Sequence, residues 1–191
     1  MRAALREVAQ NPTETVLLFE DEVSFYRQPT QAWLWHHLGR AQPRLPYSNR
    51  ANTLMRVIGL LDAWSGDLQT WDYSKATAVR LGKCWSSAVK AYPQAKKIYF
   101  VMDNWPVHFH EKALGPLRAD PRVEVLALPT YSPWLNNIEK VWRWVKDRVT
   151  HAHPWSDDFD KFKQEVRAEL NRASRLPELR RYCGLNTLFS Q

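Results

Sequence analysis

The chain has 191 residues, 45% of them hydrophobic, which suits one domain with a substantial core and excludes a disordered chain. Its net charge of +7 points to a polyanionic or acidic partner. The two cysteines, Cys84 and Cys183, form no Cys-x-x-Cys pair and no zinc spacing, and no apolar run is long enough to span a membrane, so a reducing, cytoplasmic location without a membrane partner is expected.

Residues 3–10 predict a short helix stopped by Asn11-Pro12. Residues 15–19 read as a buried strand that Asp21 closes. A polar and basic stretch follows over 20–52, broken by Ala32-Trp33-Leu34-Trp35, a candidate short strand. Residues 53–63 and 68–73 predict two strands joined through Trp64-Ser65-Gly66-Asp67 into a hairpin. A helix is expected over 77–91, and an apolar strand over 97–102 that Asp103 closes. A helix over 108–118 and a strand over 123–128 come next. Ser132 can cap a helix with Pro133 at its first position. In that helix Leu135, Ile138, Trp142, Val145 and Val149 make one apolar stripe, with Glu139, Lys140, Arg143 and Lys146 beside it. Helices over 157–173 and 177–182 complete the chain. Strands joined through helices imply parallel pairing and the hairpin implies antiparallel pairing, so the expected fold is α/β, a mixed sheet with helices on both faces.

Charge is unevenly spread. Residues 26–60 carry Arg27, Arg40, Arg44, Arg50 and Arg56 without an acid, whereas residues 1–25 carry a net −3. A basic stretch straight after an acidic strand end suits a phosphate backbone or, equally, a solvated loop. Trp33 and Trp35 within it are placed to stack on frayed bases, or else to pack a flap on its own domain. The pairs His36-His37, His108-x-His110 and His151-x-His153 lack the further ligands that zinc needs.

Asp21, Asp103 and Glu139 carry the chemistry, the last two 36 positions apart. Mg2+ and Mn2+ take oxygen ligands, and two such ions about 4 Å apart can activate a nucleophile and stabilise a leaving oxygen. Such a pair needs one shared carboxylate, the natural role of Asp21, and private ones such as Asp103 and Glu139. Carboxylates crowded together repel, so the site is expected to be poorly ordered or partly protonated without metal. Each acid taken singly also reads as a turn former or, for Glu139, as a surface charge paired with Arg143.

Three blocks of text resemble a family. Phe-Glu-Asp-Glu-Val-Ser-Phe (19–25) with Trp33, Gly39 and Pro43, then Met-Asp-Asn-Trp-Pro-Val-His (102–108), then Leu-Pro-Thr-Tyr-Ser-Pro-Trp-Leu-Asn-Asn-Ile-Glu-Lys-Val-Trp (128–142), are similar in order to the blocks of DDE-superfamily transposases, in particular the bacterial insertion-sequence members of the Tc/mariner superfamily. The resemblance implies a ribonuclease H-like fold with a five-stranded mixed sheet. It implies Asp21, Asp103 and Glu139 as catalytic metal ligands for two Mg2+ or Mn2+ ions. It implies hydrolysis at transposon ends and transfer of the 3′-OH to target DNA, with double-stranded DNA as partner and a homodimer as assembly. Glu22, Asn104 and His108 are then expected beside the ligands. Arg27, Trp33, Trp35, Arg40, Arg44, Arg50, Lys140 and Arg143 are expected to contact DNA. The catalytic domain is expected over residues 1–150, with 26–52 as a basic flap and 151–191 as helices packed on the same domain.

Two departures matter. Only 20 residues precede Asp21, so the family's N-terminal helix-turn-helix reader is expected to be missing from this chain. Asn137 stands where many relatives carry Pro. Two other readings stay open: an inactive remnant acting as a DNA-binding or assembly module, and a nuclease of the same fold.

Overall fold

A computed structural model describes residues 1–31, 33, 44–50, 53–73, 75 and 77–189. Five strands form one sheet: β1 (Thr15–Tyr26), β2 (Leu54–Asp62), β3 (Leu68–Tyr73), β4 (Lys97–Met102) and β5 (Val123–Ala127), in the order β3-β2-β1-β4-β5. The apolar strand β1 is central, as expected of a run buried on both faces. It pairs parallel with β4, which pairs parallel with β5, while β1, β2 and β3 pair antiparallel.

Period-two alternation divides β1 between two cores. Leu17, Phe19, Val23 and Phe25 face α1 (Arg2–Gln10), α4 (Ile138–Val149) and α5 (Phe159–Ala173). The same core takes in Leu179 from α6 (Pro177–Tyr182) and Leu185 from α7 (Leu185–Leu188). Val16 and Leu18 face α2 (Ala78–Lys90) and α3 (Glu111–Arg118) across the sheet.

The observed elements correct the sequence expectations in three places. β1 does not stop near Phe19; it runs to Tyr26, because β2 continues to pair with it through Tyr26↔Leu54. Asp21 therefore lies inside a strand, two residues beyond the last parallel pair, Phe19↔Val101. The helix bearing Glu139 begins at Ile138, and residues 133–135 form a separate 3-10 turn in which Ser132 makes no capping bond and Leu135 is exposed. The helix after β4 begins at Glu111 with His110 as its cap, so His108 stands in the preceding loop. The expected strand around Trp33 falls mostly outside the described residues, where Trp35 and Arg40 also lie.

Gly59 fixes how closely α4 approaches the sheet. It pairs with Asp21, and the Trp142 ring of α4 lies on it so tightly that a Cβ there would fall inside the ring's contact envelope. Gly59→Ala is expected to cost about 1–3 kcal/mol by overpacking. Urea denaturation measures it, and an unchanged midpoint would show that the ring has room to move.

Candidate active site

The sheet brings the three acids to one place. Asp21, Asp103 and Glu139 line a single cavity of about 370 Å³ together with Asn104, Trp105, Asn136 and the loop from Leu128 to Pro133. Asp21 comes from β1, Asp103 from the first position after β4, and Glu139 from the first turn of α4.

Asp21 and Asp103 are each held by identifiable bonds. Trp142 Nε1 donates to Asp21 Oδ2 at 2.9 Å. Asp103 Oδ1 accepts from the Trp105 backbone N–H at 2.9 Å and faces His108 Nδ1 at 2.9 Å. Asn104 Nδ2 donates to the Leu128 carbonyl at 2.7 Å, tying the loop after β4 to the end of β5. Asn136 Nδ2 donates to the Glu20 carbonyl at 2.7 Å, tying the approach to α4 onto β1.

Burial, joined by the negative charges of Glu139 and Glu22, pushes the Asp21 carboxyl up to about 7 against the opposing bonds from the Glu22 backbone and Trp142. This is the partial protonation expected of crowded carboxylates.

A second cluster lies across the strand. Glu20 and Glu22 alternate with Asp21 and so point to the opposite face of β1. His108 Nε2 is 3.1 Å from Glu22 Oε1 and 3.6 Å from Glu20 Oε2, and both Glu20 and His108 are completely buried. Trp85 Nε1 of α2 donates to Glu20 Oε1 at 3.2 Å. The ligating atoms of Glu20, Glu22 and His108 all lie within 4.8 Å of one another, a group capable of holding a divalent ion. Burial alone would lower the His108 pKa, but its bond to Glu22 and the charges of Glu20, Glu22 and Asp103 raise it to about 10. The imidazolium then donates from both nitrogens, to Asp103 on one side and to Glu22 on the other. It supplies within this cluster the positive charge that an ion would otherwise bring.

The expected DNA-contacting residues separate. Arg27 is only 2% exposed, its Nε donates to the Ser156 carbonyl at 2.7 Å, and its guanidinium lies over Phe159; it serves packing rather than a phosphate. Trp33, Arg44, Arg50, Lys140 and Arg143 are exposed. Lys140 Nζ also donates to the Cys183 carbonyl. Among the described residues Glu139 and Arg143 form no ion pair, so the surface-pair reading of Glu139 fails. The sequence did not single out Glu20, Asn136 or the indole N–H of Trp142. Trp142 was legible only as a member of an apolar stripe, and the polar role of Asn136 depends on a partner 116 residues away.

The sheet order and the helices on both faces define an α/β protein of ribonuclease H-like architecture, with an acid-lined cavity at the end of its parallel strands. Residues 16–163 match the family described as DDE superfamily endonuclease, and the chain belongs to that family. It is 26% identical over 179 residues to the insertion element IS630 uncharacterized 39 kDa protein of Shigella sonnei, covering 93% of this chain and 51% of the relative. The chain thus spans about half the length of that curated relative. The solved Mos1 transposase paired-end complex with left transposon end superposes with a TM-score of 0.65 at 14% identity, over 99% of this chain and 59% of that one. A chain of the simian T-cell lymphotropic virus intasome in complex with PP2A regulatory subunit B56 gamma gives a TM-score of 0.54 at 14% identity, over 83% of this chain and 47% of that one. At these identities the likeness is one of fold. Among the described residues no helix is long and apolar enough to cross a membrane.

Two outcomes follow from the electrostatics. An Asp21 pKa near 7, above the 3.8 of the free side chain, means that the protonated form favours folding. That contribution is whole below the unfolded value and is lost as pH rises through the folded one. Without divalent ions the protein is expected to lose stability between about pH 4 and 7, and Asp21→Asn to flatten part of that slope, read as Tm against pH. An unaltered slope would mean that Asp21 does not hold the proton. Separately, His108→Ala leaves Glu20 and Glu22 without their counter-charge and is expected to cost roughly 3–5 kcal/mol, the scale of breaking a buried ion pair from one side. Chemical denaturation checks it, and a loss below about 1 kcal/mol would reduce the cluster to the level of a surface pair.

Proposed function

We propose that this chain is the catalytic domain of an insertion-element DNA transposase. In this reading it hydrolyses phosphodiesters at transposon ends and passes the 3′-OH strand to target DNA. The observation that carries the reading is the meeting of Asp21, Asp103 and Glu139 around one open cavity, in a chain of this family.

The donors suit hard divalent cations: three carboxylates, from three separate elements, face one solvent-connected space. Asp21, Asp103 and Glu139 would hold two Mg2+ or Mn2+ ions. When bound, these supply positive charge that lowers the pKa of an attacking water and stabilises the leaving oxygen. The remaining work falls to the chain. Asp21 holds a proton near neutral pH and must release it to act as a ligand, so metal binding is coupled to proton release. Trp142 steadies one Asp21 oxygen, and His108 with the Trp105 amide steadies one oxygen of Asp103. Glu20 and Glu22 anchor His108 from behind.

Double-stranded DNA is the partner that this reading requires. The exposed Arg44, Arg50 and Arg143 support it, as does the net charge of +7. Joining two ends calls for two active sites, so a homodimer belongs to the proposal, in keeping with the paired-end complex formed by the Mos1 relative.

Asp21→Asn, Asp103→Asn and Glu139→Gln are each expected to reduce Mg2+-dependent cleavage of duplex DNA by about 100-fold or more, the scale of losing one electrostatic stabiliser of a transition state, with the fold retained. Gel-resolved cleavage alongside circular dichroism measures this. Undiminished cutting by any one variant removes that residue from the ligand set, and DNA binding by the unsubstituted protein without cutting favours an assembly module.

A further inference from the structure

A second groove, of about 710 Å³, adjoins the acid-lined cavity and runs along α4 from Pro133 and Trp134 to Thr150 and His151. Pro133, Asn136 and Glu139 line both spaces, so the two are continuous at the candidate catalytic acid. The ridge over residues 131–134 stands between them. Tyr131 lines the cavity and Trp134 lines the groove. Both rings stand in solvent, at 90% and 74% exposure. Tyr131 also holds a left-handed backbone, φ 60°, which disfavours a residue with a bulky side chain. A strained backbone carrying an exposed aromatic beside reactive groups is a feature that folding alone does not call for.

The groove's charge suits the same kind of ligand. Lys140, Arg143 and Lys146 line it at helical spacings of three, against Glu139 and Asp147. From Glu139 to Lys146 the helix rises about 10 Å, which spans about three phosphates of one strand. Among the described residues Arg143 and Lys146 form no ion pair.

Paired bases within a duplex keep their faces covered, whereas an unpaired nucleotide offers a face to an exposed ring. Resting on the DNA-cleaving reading above, we infer that the ridge holds an unpaired nucleotide of the strand adjoining the cut phosphodiester, its base stacked on Trp134 and its phosphates on Arg143 and Lys146. The protein would thus prefer frayed or single-stranded DNA next to the scissile bond over an intact duplex.

The test is binding of a short fluorescein-labelled oligothymidylate and of a blunt duplex of equal length, by anisotropy in Ca2+, on the full chain. Trp134→Ala is expected to weaken oligothymidylate binding about tenfold, or about 1.4 kcal/mol, and duplex binding by less than about twofold. Trp134→Phe is expected to keep most of the affinity. Arg143→Ala and Lys146→Ala are each expected to lower the salt dependence of oligothymidylate binding by about 0.7 in log–log slope. Trp134→Ala that binds oligothymidylate like the unsubstituted protein, or that loses both probes equally, overturns the inference, as does failure of the unsubstituted protein to bind oligothymidylate. The same titrations on Asp103→Asn separate the two proposals. Stacking that depends on Trp134 there, in a protein whose unsubstituted form never cuts DNA, sustains nucleotide binding on the ridge and defeats the nuclease reading.

Discussion

The site depends on one mismatch in the sheet: β1 is longer than its parallel neighbour β4. Parallel pairing ends at Phe19↔Val101, while pairing with β2 carries β1 on to Tyr26. Beyond Phe19 one edge of the central strand loses its neighbour, and its backbone groups need other partners. Asn136 supplies one by donating to the Glu20 carbonyl. Past the end of β4, Asn104 does the same for the Leu128 carbonyl. Two asparagine side chains thus replace ladder bonds at the point where the sheet opens, and the opening they frame is the cavity between Asp21, Asp103 and Glu139.

The three consecutive acids of β1 meet this opening differently because a strand alternates its faces. Glu20 and Glu22 turn toward α2 and are answered by a buried imidazolium; Asp21 turns toward α4 and meets another acid, Glu139. Like charge thus meets on both faces, but only the face of Glu20 and Glu22 has a buried cation beside it. Glu20 shows how complete the burial is on the other: one of its oxygens has no hydrogen-bond partner, and its proton affinity is raised well above the ordinary carboxylate range by burial first, then by Glu22. His108 couples the two faces, since the ring that answers Glu22 also grips Asp103. A histidine without that second bond would be a core ion pair and nothing more.

Much of this was legible in the sequence where local pattern decides the outcome. The apolar runs before Asp21 and Asp103, the hairpin turn around Gly66 and the text around Glu139 each declared themselves. What was not legible depended on distant partners. Residues 20–26 look polar and strand-ending until β2 is laid beside them. Ser132 and Pro133 are a good helix start in isolation, yet the chain there closes a 3-10 turn, and Asn136 and Asn137 are drawn inward. Arg27 reads as a surface cation, but the Ser156 carbonyl, 129 residues on, takes its Nε. Trp142 reads as core, and so it is, but only Gly59 lets its indole reach Asp21.

The turn that carries Glu139 is fixed from three directions. Asn136 binds β1, and Trp142 binds Asp21. From the third side Asn137 Nδ2 and Lys140 Nζ both donate to the Cys183 carbonyl, at 2.8 and 3.0 Å, at the C-terminal end of α6. A helix C-terminus presents unpaired carbonyls and partial negative charge, which favours a lysine and an amide donor there. A proline at position 137 would have no side-chain donor and would forgo that bond. The asparagine therefore does more than tolerate its place: it binds the helix bearing Glu139 to the C-terminal helices, so that residues far from the cavity in sequence help to set where that carboxylate stands.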